Sequence, residues 1–277
     1  MKQKKGARLG QHFLTHAWAA KKLAYAAAPK EGETIVEIGP GKGVLTRELL
    51  QLGPVIAVEK DGQLVARLRE MFAEEIGSGK LTLTEGDIRN FDAKNYKLKT
   101  QNYVVAANIP YYITGEIIRA FLTADTQPRA MALLVQKEVA QRIVDSKESI
   151  LSLSVKAYGM PRIAAKVGKS HFSPPPSVDS AILLVDNVSR GFFNDISEED
   201  FFAVVRAGFA SKRKFLSSNL GSQFDIRAAR NALQTCSIPE KARAEDVRLQ
   251  QWKCLSHHLI TSRTRLLAPT NSPPLSS

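Results

Sequence analysis

The fold of this chain is decided by the stretch Val36-Glu37-Ile38-Gly39-Pro40-Gly41-Lys42-Gly43. Its apolar residues predict a buried strand over residues 34–38, and the glycines that follow predict a tight turn into a helix ending near Leu50. A ligand can approach such a turn closely, because the first N–H groups of the next helix are free to bind it. A dinucleotide fingerprint has the spacing G-x-G-x-x-G, whereas here the third glycine comes one residue early and Val44 fills the dinucleotide position. The spacing therefore disfavours a dehydrogenase.

Short apolar runs alternate with amphipathic segments over the first two-thirds of the chain. This alternation predicts β-α units around a mainly parallel sheet. The runs that we interpret as further strands are residues 55–58, 81–84, 103–107, 132–135, 152–158, 162–167 and 181–185. A helix with Asp61 as its N-cap is predicted after the second strand, and another over residues 138–144. The sequence His-Phe-Ser-Pro-Pro-Pro at residues 171–176 predicts a rigid, polyproline-like connector.

The pattern becomes helical after Asn187, with helices predicted over residues 198–209, 214–220, 226–233 and 249–260. We therefore expect an α/β domain over residues 1–187 and a small all-α domain over residues 188–265. Residues 266–277 are rich in Pro, Ser and Thr and are expected to form a disordered tail.

The chain of 277 residues is strongly basic, with a net charge of +12 and a pI of about 9.7. Such an excess of Lys and Arg favours a polyanionic partner, because each one that neutralises a phosphate releases a condensed counterion. The alternative is a basic protein that is merely soluble. No apolar run is long enough to span a bilayer, so no membrane partner is expected.

Two further features indicate a cytoplasmic location. The basic segment from Met1 to Arg8 is not followed by the apolar stretch that a secretory signal needs. Cys236 and Cys254 form no CxxC arrangement, and we interpret them as lacking a histidine at metal-ligand spacing. We therefore expect two reduced thiols and no bound metal.

Two acidic residues follow predicted strands at the edge where the glycine turn lies. Glu59 ends the second strand, where a carboxylate can accept hydrogen bonds from both hydroxyls of a ribose. Asp87 follows the third strand, where it could accept a hydrogen bond from an adenine amine. Either one alone would be interpreted as an ordinary surface acid. Because three strand ends align behind one glycine turn, we favour a site for a nucleoside-containing cofactor.

The segment Asn108-Ile109-Pro110-Tyr111 follows the fourth strand, beside the predicted cofactor site. An adenine N6 amine is a poor nucleophile because its lone pair is delocalised into the ring. The Asn108 side-chain oxygen and the Ile109 carbonyl could hold the hydrogens of the amine and turn its lone pair towards a methyl donor. Pro110 stiffens the loop, and Tyr111 could stack on a flipped-out base. In isolation the tetrapeptide would indicate only a turn, and Tyr112 could be a second contact or could only pack.

From about Arg8 to Leu259, the sequence closely resembles the small-subunit rRNA adenine N6,N6-dimethyltransferase family. The resemblance rests on Leu9-Gly10-Gln11-His12-Phe13-Leu14 and on the segments 36–43, 85–87, 108–111, 136–139, 172–180, 212–214, 219–220 and 243–246. It implies an α/β class I, Rossmann-like methyltransferase fold with a seven-stranded, mainly parallel sheet and a small helical C-terminal domain for RNA recognition.

The resemblance also implies the reaction and the partner. S-adenosyl-L-methionine would be the cofactor, and two adjacent adenosines in the 3′-terminal hairpin loop of small-subunit rRNA would be dimethylated on a ribosomal subunit precursor. We expect the protein to act as a monomer. Departures from the family pattern are His12 where many relatives have Asn, Tyr112 where Asn is usual, and Ser211 at the start of a basic segment that normally begins with Gln.

The residues carried over by position fall into three groups. The residues predicted for catalysis are Asn108, Pro110, Tyr111 and Phe172, of which Phe172 would cover the second face of the target adenine or, alternatively, pack in the core. The predicted cofactor contacts are Gln11, His12, Leu14, Gly39, Gly41, Glu59, Asp87, Ile88 and Asn108. The predicted RNA contacts are Lys212, Arg213 and Lys214, for which a solvated helix end is the alternative.

Two other functions compete with this one. The erythromycin-resistance methylases share the catalytic core but act on large-subunit rRNA, and the segment from Arg206 to Leu259 favours the small-subunit enzymes. A catalytically idle RNA-binding assembly factor is the other alternative. The presence of both Asn108 and Tyr111 favours an active enzyme.

Overall fold

The structure, a computed structural model, describes residues 12–267, and for residues 261–267 the backbone alone. The chain divides into two compact units. One unit comprises the residues up to Val144 together with Ser154–Arg190, and the other comprises Asp145–Leu153 and the residues from Gly191 onward.

The first unit alternates strands and helices. Its strands are β1 (Phe13–Leu14), β2 (Thr34–Ile38), β3 (Val55–Glu59), β4 (Leu81–Glu85), β5 (Tyr103–Asn108), β6 (Ala130–Gln136), β7 (Met160–Val167), β8 (Phe172–Ser173) and β9 (Ser180–Asp186). Its helices are α1 (Ala17–Ala27), α2 (Val44–Leu49), α3 (Gly62–Met71), α4 (Ala73–Gly77), α5 (Thr114–Thr123) and α6 (Lys137–Val144), and α7 (Ile150–Lys156) crosses the division between the units.

The main sheet has seven strands in the order β4-β3-β2-β5-β6-β9-β7. The five strands from β4 to β6 are parallel, and β9 pairs antiparallel with both β6 and β7. From β2 the chain builds the sheet outwards through β3 and β4, and then returns to add β5 on the other side of β2. Ligands of open α/β sheets bind at such a reversal, outside the carboxyl ends of the strands. The predicted α/β sheet is confirmed.

The parallel strands are buried on both faces. Along β5, for example, Val104 and Ala106 lie in the same hydrophobic cluster as α1 and α2, while Val105 and Ala107 are equally inaccessible to solvent. Near-continuous apolar sequence is what a parallel sheet covered by helices on both faces requires. The N-cap of α3 was also predicted correctly, since the Asp61 carboxylate accepts a hydrogen bond from the Gln63 N–H at 2.9 Å.

The second unit is helical. Its helices are α8 (Glu198–Gly208), α9 (Leu216–Phe224), α10 (Ile226–Thr235) and α11 (Leu249–Leu267). The segment Asp145–Leu153 belongs with them because it is bonded to the turn at Ala244–Asp246. The Glu148 N–H donates to the Glu245 carbonyl at 2.7 Å, and Lys147 forms an ion pair with the Glu245 carboxylate at 3.0 Å.

The predicted strand at residues 152–158 is wrong, because Ile150–Lys156 forms the helix α7. Ser152 and Ser154 alternate with apolar residues in this segment, yet both serines are buried. A buried Ser152 is tolerated in this helix because its hydroxyl donates a hydrogen bond to the Glu148 carboxylate at 2.7 Å. The connector at residues 171–176 also differs from the prediction. Its Phe172–Ser173 part forms β8, which pairs antiparallel with β1.

The expectation of two reduced thiols is wrong for this structure, in which Cys236 and Cys254 form a disulfide with their Cα atoms 5.8 Å apart. Cys236 follows directly after α10, and Cys254 lies in α11, which packs against α10. The packing of two helices, rather than sequence spacing, brings the sulfurs together.

Within the described part of the chain, every helix is too short or too polar to serve as a membrane span. The backbone of α11 continues to Leu267, and the rest of the predicted tail lies outside the described residues.

Candidate functional site

A cavity opens at the carboxyl ends of β2, β3 and β5, where the sheet order reverses. Its open space, including the mouth, measures about 960 Å³. Residues predicted for the site that line this cavity are His12, Gly39, Gly41, Glu59, Asp87, Ile88, Asn108, Pro110 and Tyr111.

The glycine turn after β2 forms one wall of the cavity. Gly39 and Gly41 have φ angles of +63° and +59°, the left-handed conformation that glycine adopts without steric cost. A Cβ on Gly41 would also lie 3.0 Å from a ring carbon of Phe13. The backbone of Gly41 is therefore open to the cavity and cannot easily carry a side chain.

Glu59 fixes the turn to the end of β3. Its carboxylate is 4% exposed and accepts hydrogen bonds from the N–H groups of Gly41 at 3.0 Å, Lys60 at 2.8 Å and Asp61 at 2.9 Å. An ionised carboxylate has about four acceptor positions, so these three bonds leave capacity for a ligand hydroxyl. The same residue thus orders the loop and faces the cavity.

Asp87 is held by two cations. Its carboxylate is bonded to the Arg89 guanidinium at 2.5 and 3.0 Å and to the Lys60 ammonium at 2.8 Å. Hydrogen bonds from Arg89 and, to a smaller extent, from Lys60 hold the pKa of Asp87 well below its usual range. The carboxylate therefore stays ionised and is oriented before any ligand arrives.

Asn108 ends β5 and is half-buried. Its side-chain nitrogen donates to the backbone carbonyl of His12 at 2.9 Å, so the amide oxygen is the end that this bond leaves available. The contact uses the backbone of His12, so it does not depend on the side chain at this position. The His12 ring turns elsewhere, because its Nδ1 donates to the Pro174 carbonyl at 2.8 Å.

Tyr111 is fixed on two sides. Its hydroxyl shares a 2.8 Å hydrogen bond with the Ser180 hydroxyl, and its ring lies 5.7 Å from the His12 ring. Burial raises the pKa of Tyr111, so the hydroxyl stays protonated at neutral pH. The neighbouring Tyr112 also lines the cavity and is 75% exposed.

Glu37 is a buried acid beside the glycine turn. It lines a smaller cavity that shares Gly39, Gly41 and Asn108 with the main one. Among the residues whose side chains the structure describes, neither carboxylate oxygen of Glu37 has a hydrogen-bond partner. Burial raises the pKa of Glu37 to about 8, although the nearby Thr46 hydroxyl opposes this shift, and the charge of Glu59 adds a smaller increase.

Two residues predicted for the site, Leu14 and Phe172, do not line the main cavity. Leu14 and Phe172 are 5% and 4% exposed and pair with each other across β1 and β8, within the hydrophobic cluster of the first unit. Leu14 borders the smaller cavity beside Glu37. Gln11 lies outside the described residues.

Sequence reasoning missed Phe13, Lys60 and Arg89, which all line the main cavity. Each is a sequence neighbour of a predicted contact: Phe13 stands between His12 and Leu14, and Lys60 follows Glu59. Arg89 lies two residues after Asp87 and could have been found from that spacing.

In the second unit, Lys212, Arg213 and Lys214 are exposed in the turn between α8 and α9. Asn219, which is 3% exposed, fixes this turn by donating to the carbonyls of Gly208 at 2.7 Å and Ser211 at 2.9 Å. Residues 212–214, the basic turn, are thus three cations on an ordered backbone.

Comparison with known proteins gives a family match over most of the chain. A family model described as ribosomal RNA adenine dimethylase matches residues 2–260. The chain is 38% identical over 264 residues to ribosomal RNA small subunit methyltransferase A of Dehalococcoides mccartyi strain BAV1, covering 93% of this chain and 89% of that relative. The protein of the same name from Moorella thermoacetica is 35% identical, with 90% and 91% covered.

Two solved structures share the fold. The 23S rRNA methyltransferase ErmE superimposes with a TM-score of 0.74 at 24% identity, covering 90% of this chain and 99% of that one. A dimethyladenosine transferase from Plasmodium falciparum gives a TM-score of 0.74 at 23% identity, with 91% and 98% covered. The predicted class I S-adenosylmethionine-dependent methyltransferase fold is thereby confirmed.

Proposed function

The chain belongs to the ribosomal RNA adenine dimethylase family, and from this membership we propose that it methylates small-subunit rRNA. In this proposal it transfers methyl groups from S-adenosyl-L-methionine to the N6 amines of two adjacent adenosines in the 3′-terminal hairpin loop. The proposal rests most directly on the orientation of Asn108. Its side-chain nitrogen donates a hydrogen bond to the His12 carbonyl, and this leaves the amide oxygen available as an acceptor.

The residues of the main cavity fit S-adenosyl-L-methionine. The left-handed glycines leave open backbone beside Glu59, which has acceptor capacity for ribose hydroxyls, and the ionised Asp87 can accept from the adenine amine. The buried carboxyl group of Glu37, with its pKa raised to about 8, would ionise when the positively charged methionine end of the cofactor lies beside it. When bound, the cofactor supplies an activated methyl group on a sulfonium centre.

The chain's own residues would orient the target amine. The Asn108 side-chain oxygen and the Ile109 carbonyl accept hydrogen bonds from the two amine hydrogens, so that the nitrogen lone pair faces the methyl donor. Because the Asn108 nitrogen is already bonded to His12, this orientation of the amide is set before the base arrives. A sulfonium methyl group needs no strong general base, and positioning supplies most of the acceleration.

The base itself would be held by aromatic contact. Tyr111 is fixed by Ser180 and His12, so its ring is available as a rigid stacking surface at the cavity. Stacking contributes about 1–3 kcal/mol per base, which is comparable with the few kcal/mol that flipping a base costs. Phe172 would serve as the second wall only if it became more accessible than its present 4% exposure.

The second unit would hold RNA through the basic turn. Lys212, Arg213 and Lys214 present three charges to phosphates, and Phe215, 44% exposed beside them, offers a ring on which a base can stack. The substrate in this proposal is a small-subunit precursor in the cytoplasm. In this proposal the protein acts as a monomer.

The proposal is tested with purified protein and S-adenosyl-L-methionine that carries a labelled methyl group. Small-subunit and large-subunit particles lacking the modification are incubated separately, and their rRNA is digested and analysed by mass spectrometry. We expect labelled N6,N6-dimethyladenosine from the small-subunit particles alone. Label confined to large-subunit rRNA would favour an enzyme of the erythromycin-resistance type, and RNA binding without any label would favour a non-catalytic assembly factor.

A further inference from the structure

Three potential metal ligands converge within the second unit. Cys254 and His258 lie four residues apart on α11, so they project from the same face of the helix. Cys236 follows α10, and one ligand atom from each of the three residues lies within 4.8 Å of the other two. The interpretation that no histidine stands at metal-ligand spacing from the cysteines is therefore wrong. The relevant spacing is C-x-x-x-H within one helix.

We propose that Cys236, Cys254 and His258 bind a divalent zinc ion when the two cysteines are reduced. The set of two thiolates and one imidazole is one that Zn²⁺ prefers, with Zn–S distances of about 2.3 Å and Zn–N distances of about 2.0 Å. Tetrahedral geometry at those lengths places two sulfurs roughly 3.8 Å apart. Side-chain rotation reaches this separation, because the two Cα atoms are 5.8 Å apart. Water would complete the fourth position.

The disulfide and the metal site exclude each other. A disulfide sulfur carries no thiolate charge, so the pair must first accept two electrons and two protons from a reductant, such as a small dithiol that becomes a disulfide itself. Binding of Zn²⁺ then displaces the two thiol protons. Either bond, S–S or S–Zn–S, links the end of α10 to α11.

The burial of the three residues favours a site that is open on one side. Cys236 is 7% exposed, Cys254 is partly buried and His258 is exposed, so an ion can enter from the histidine side. The neighbouring His257 contacts Asp195 at 3.3 Å and is not part of the cluster. The two adjacent histidines therefore provide a matched pair for experiment.

The test uses full-length protein, reduced with a dithiol and then freed of it under anaerobic conditions. Co²⁺ is titrated as a spectroscopic probe, because thiolate ligation gives intense charge-transfer absorption, and Zn²⁺ is then added in competition. We expect one Co²⁺ per chain, displacement by one Zn²⁺, and no thiolate absorption from the oxidised protein. His258→Ala should weaken binding at least tenfold, Cys254→Ser should abolish the charge-transfer band, and His257→Ala should change neither.

Absence of thiolate–Co²⁺ absorption in the reduced wild-type protein would overturn the proposal. Equal weakening by His257→Ala and His258→Ala would overturn the assignment of the third ligand. Both histidine variants keep the cysteines, so the comparison stays informative even if a cysteine variant fails to fold. The readout is metal binding alone and does not depend on the proposed methyl transfer.

Discussion

The side-chain nitrogen of Asn108 donates a 2.9 Å hydrogen bond to the backbone carbonyl of His12, across 96 residues of sequence. The bond joins the end of β5 to the segment that enters β1 and leaves the amide oxygen available to an incoming amine. Two substitutions test the donor and acceptor roles of this amide. Asn108→Asp keeps an acceptor but loses the donor to His12, and Asn108→Ala loses both.

For Asn108→Ala we expect methyl transfer to fall by about 100-fold, because misplacing a reacting group by even 1 Å can cost that much. Asn108→Asp should show a loss of similar size, since its carboxylate cannot donate to the His12 carbonyl. Single-turnover methyl incorporation measures the rate, and a filter assay measures RNA binding, which should survive. Asn95→Ala, at an exposed turn residue, is the matched control. Normal turnover by Asn108→Ala would contradict the amine-orienting role.

Glu59→Gln should weaken cofactor binding by about 10- to 100-fold. The charged carboxylate accepts three backbone N–H groups, whereas a glutamine amide has only one oxygen to share among them and a ribose hydroxyl. Hydrogen bonds to charged groups contribute about 1.5–3 kcal/mol, which corresponds to that range of affinity. Calorimetry with S-adenosylhomocysteine gives the constant. Glu85→Gln, at the exposed end of the neighbouring strand β4, should bind normally, and unchanged affinity for Glu59→Gln would remove Glu59 from the site.

The ligand-free protein should lose stability through Glu37 as the pH rises. Its pKa is about 8 in the folded protein and near its ordinary value of 4.5 in the unfolded chain, so between these values the folded state binds more protons. Stability from this group is fully present below pH 4.5 and falls by about 1.4 kcal/mol per pH unit until about pH 8. Glu37→Gln carries no such proton and should remove this slope.

The measurement is urea unfolding of the wild-type protein and Glu37→Gln at several pH values from 5 to 9. The free energy of unfolding of the variant should rise relative to the wild type with increasing pH. Glu74→Gln, an exposed substitution on α4, should follow the wild type throughout. A constant difference between wild type and Glu37→Gln would show that the carboxyl group is not protonated in the fold.

Replacing Lys212, Arg213 and Lys214 together with alanine should flatten the salt dependence of RNA binding. Each phosphate contact contributes about 0.7–0.9 to the slope of log affinity against log salt, so three contacts contribute about 2–3. A titration of RNA affinity at several salt concentrations measures the slope. The control removes three exposed charges elsewhere, by alanine at Arg67, Arg69 and Lys80. An equal slope in the basic-turn variant and the wild type would show that these three residues are solvated and do not contact RNA phosphates.

The strand ends of the site could be predicted because parallel strands share one edge for their carboxyl termini. Glu59 and Asn108 are the last residues of their strands and Asp87 follows a third, and all three line the main cavity. The order of the strands brings them together without any information on side-chain contacts.

Contacts between distant segments could not be predicted in the same way. Phe172 was a candidate for contact with the target base, yet its register opposite Leu14 buries it. The helix α7 was predicted as a strand, and the sequence alone does not reveal that Ser152 bonds to Glu148. The meeting of Cys236 with Cys254 depends on the packing of α10 against α11, which sequence spacing does not encode.

We propose that this chain dimethylates adenosines of small-subunit rRNA through its Asn108 site. The most direct test is mass spectrometry of rRNA from cells that lack the protein, complemented with either the wild type or Asn108→Ala. We predict that N6,N6-dimethyladenosine is missing from the 3′-terminal hairpin without the protein, returns with the wild type, and stays missing with the variant. Persistence of the mark in cells without the protein, or a loss confined to large-subunit rRNA, would contradict the account.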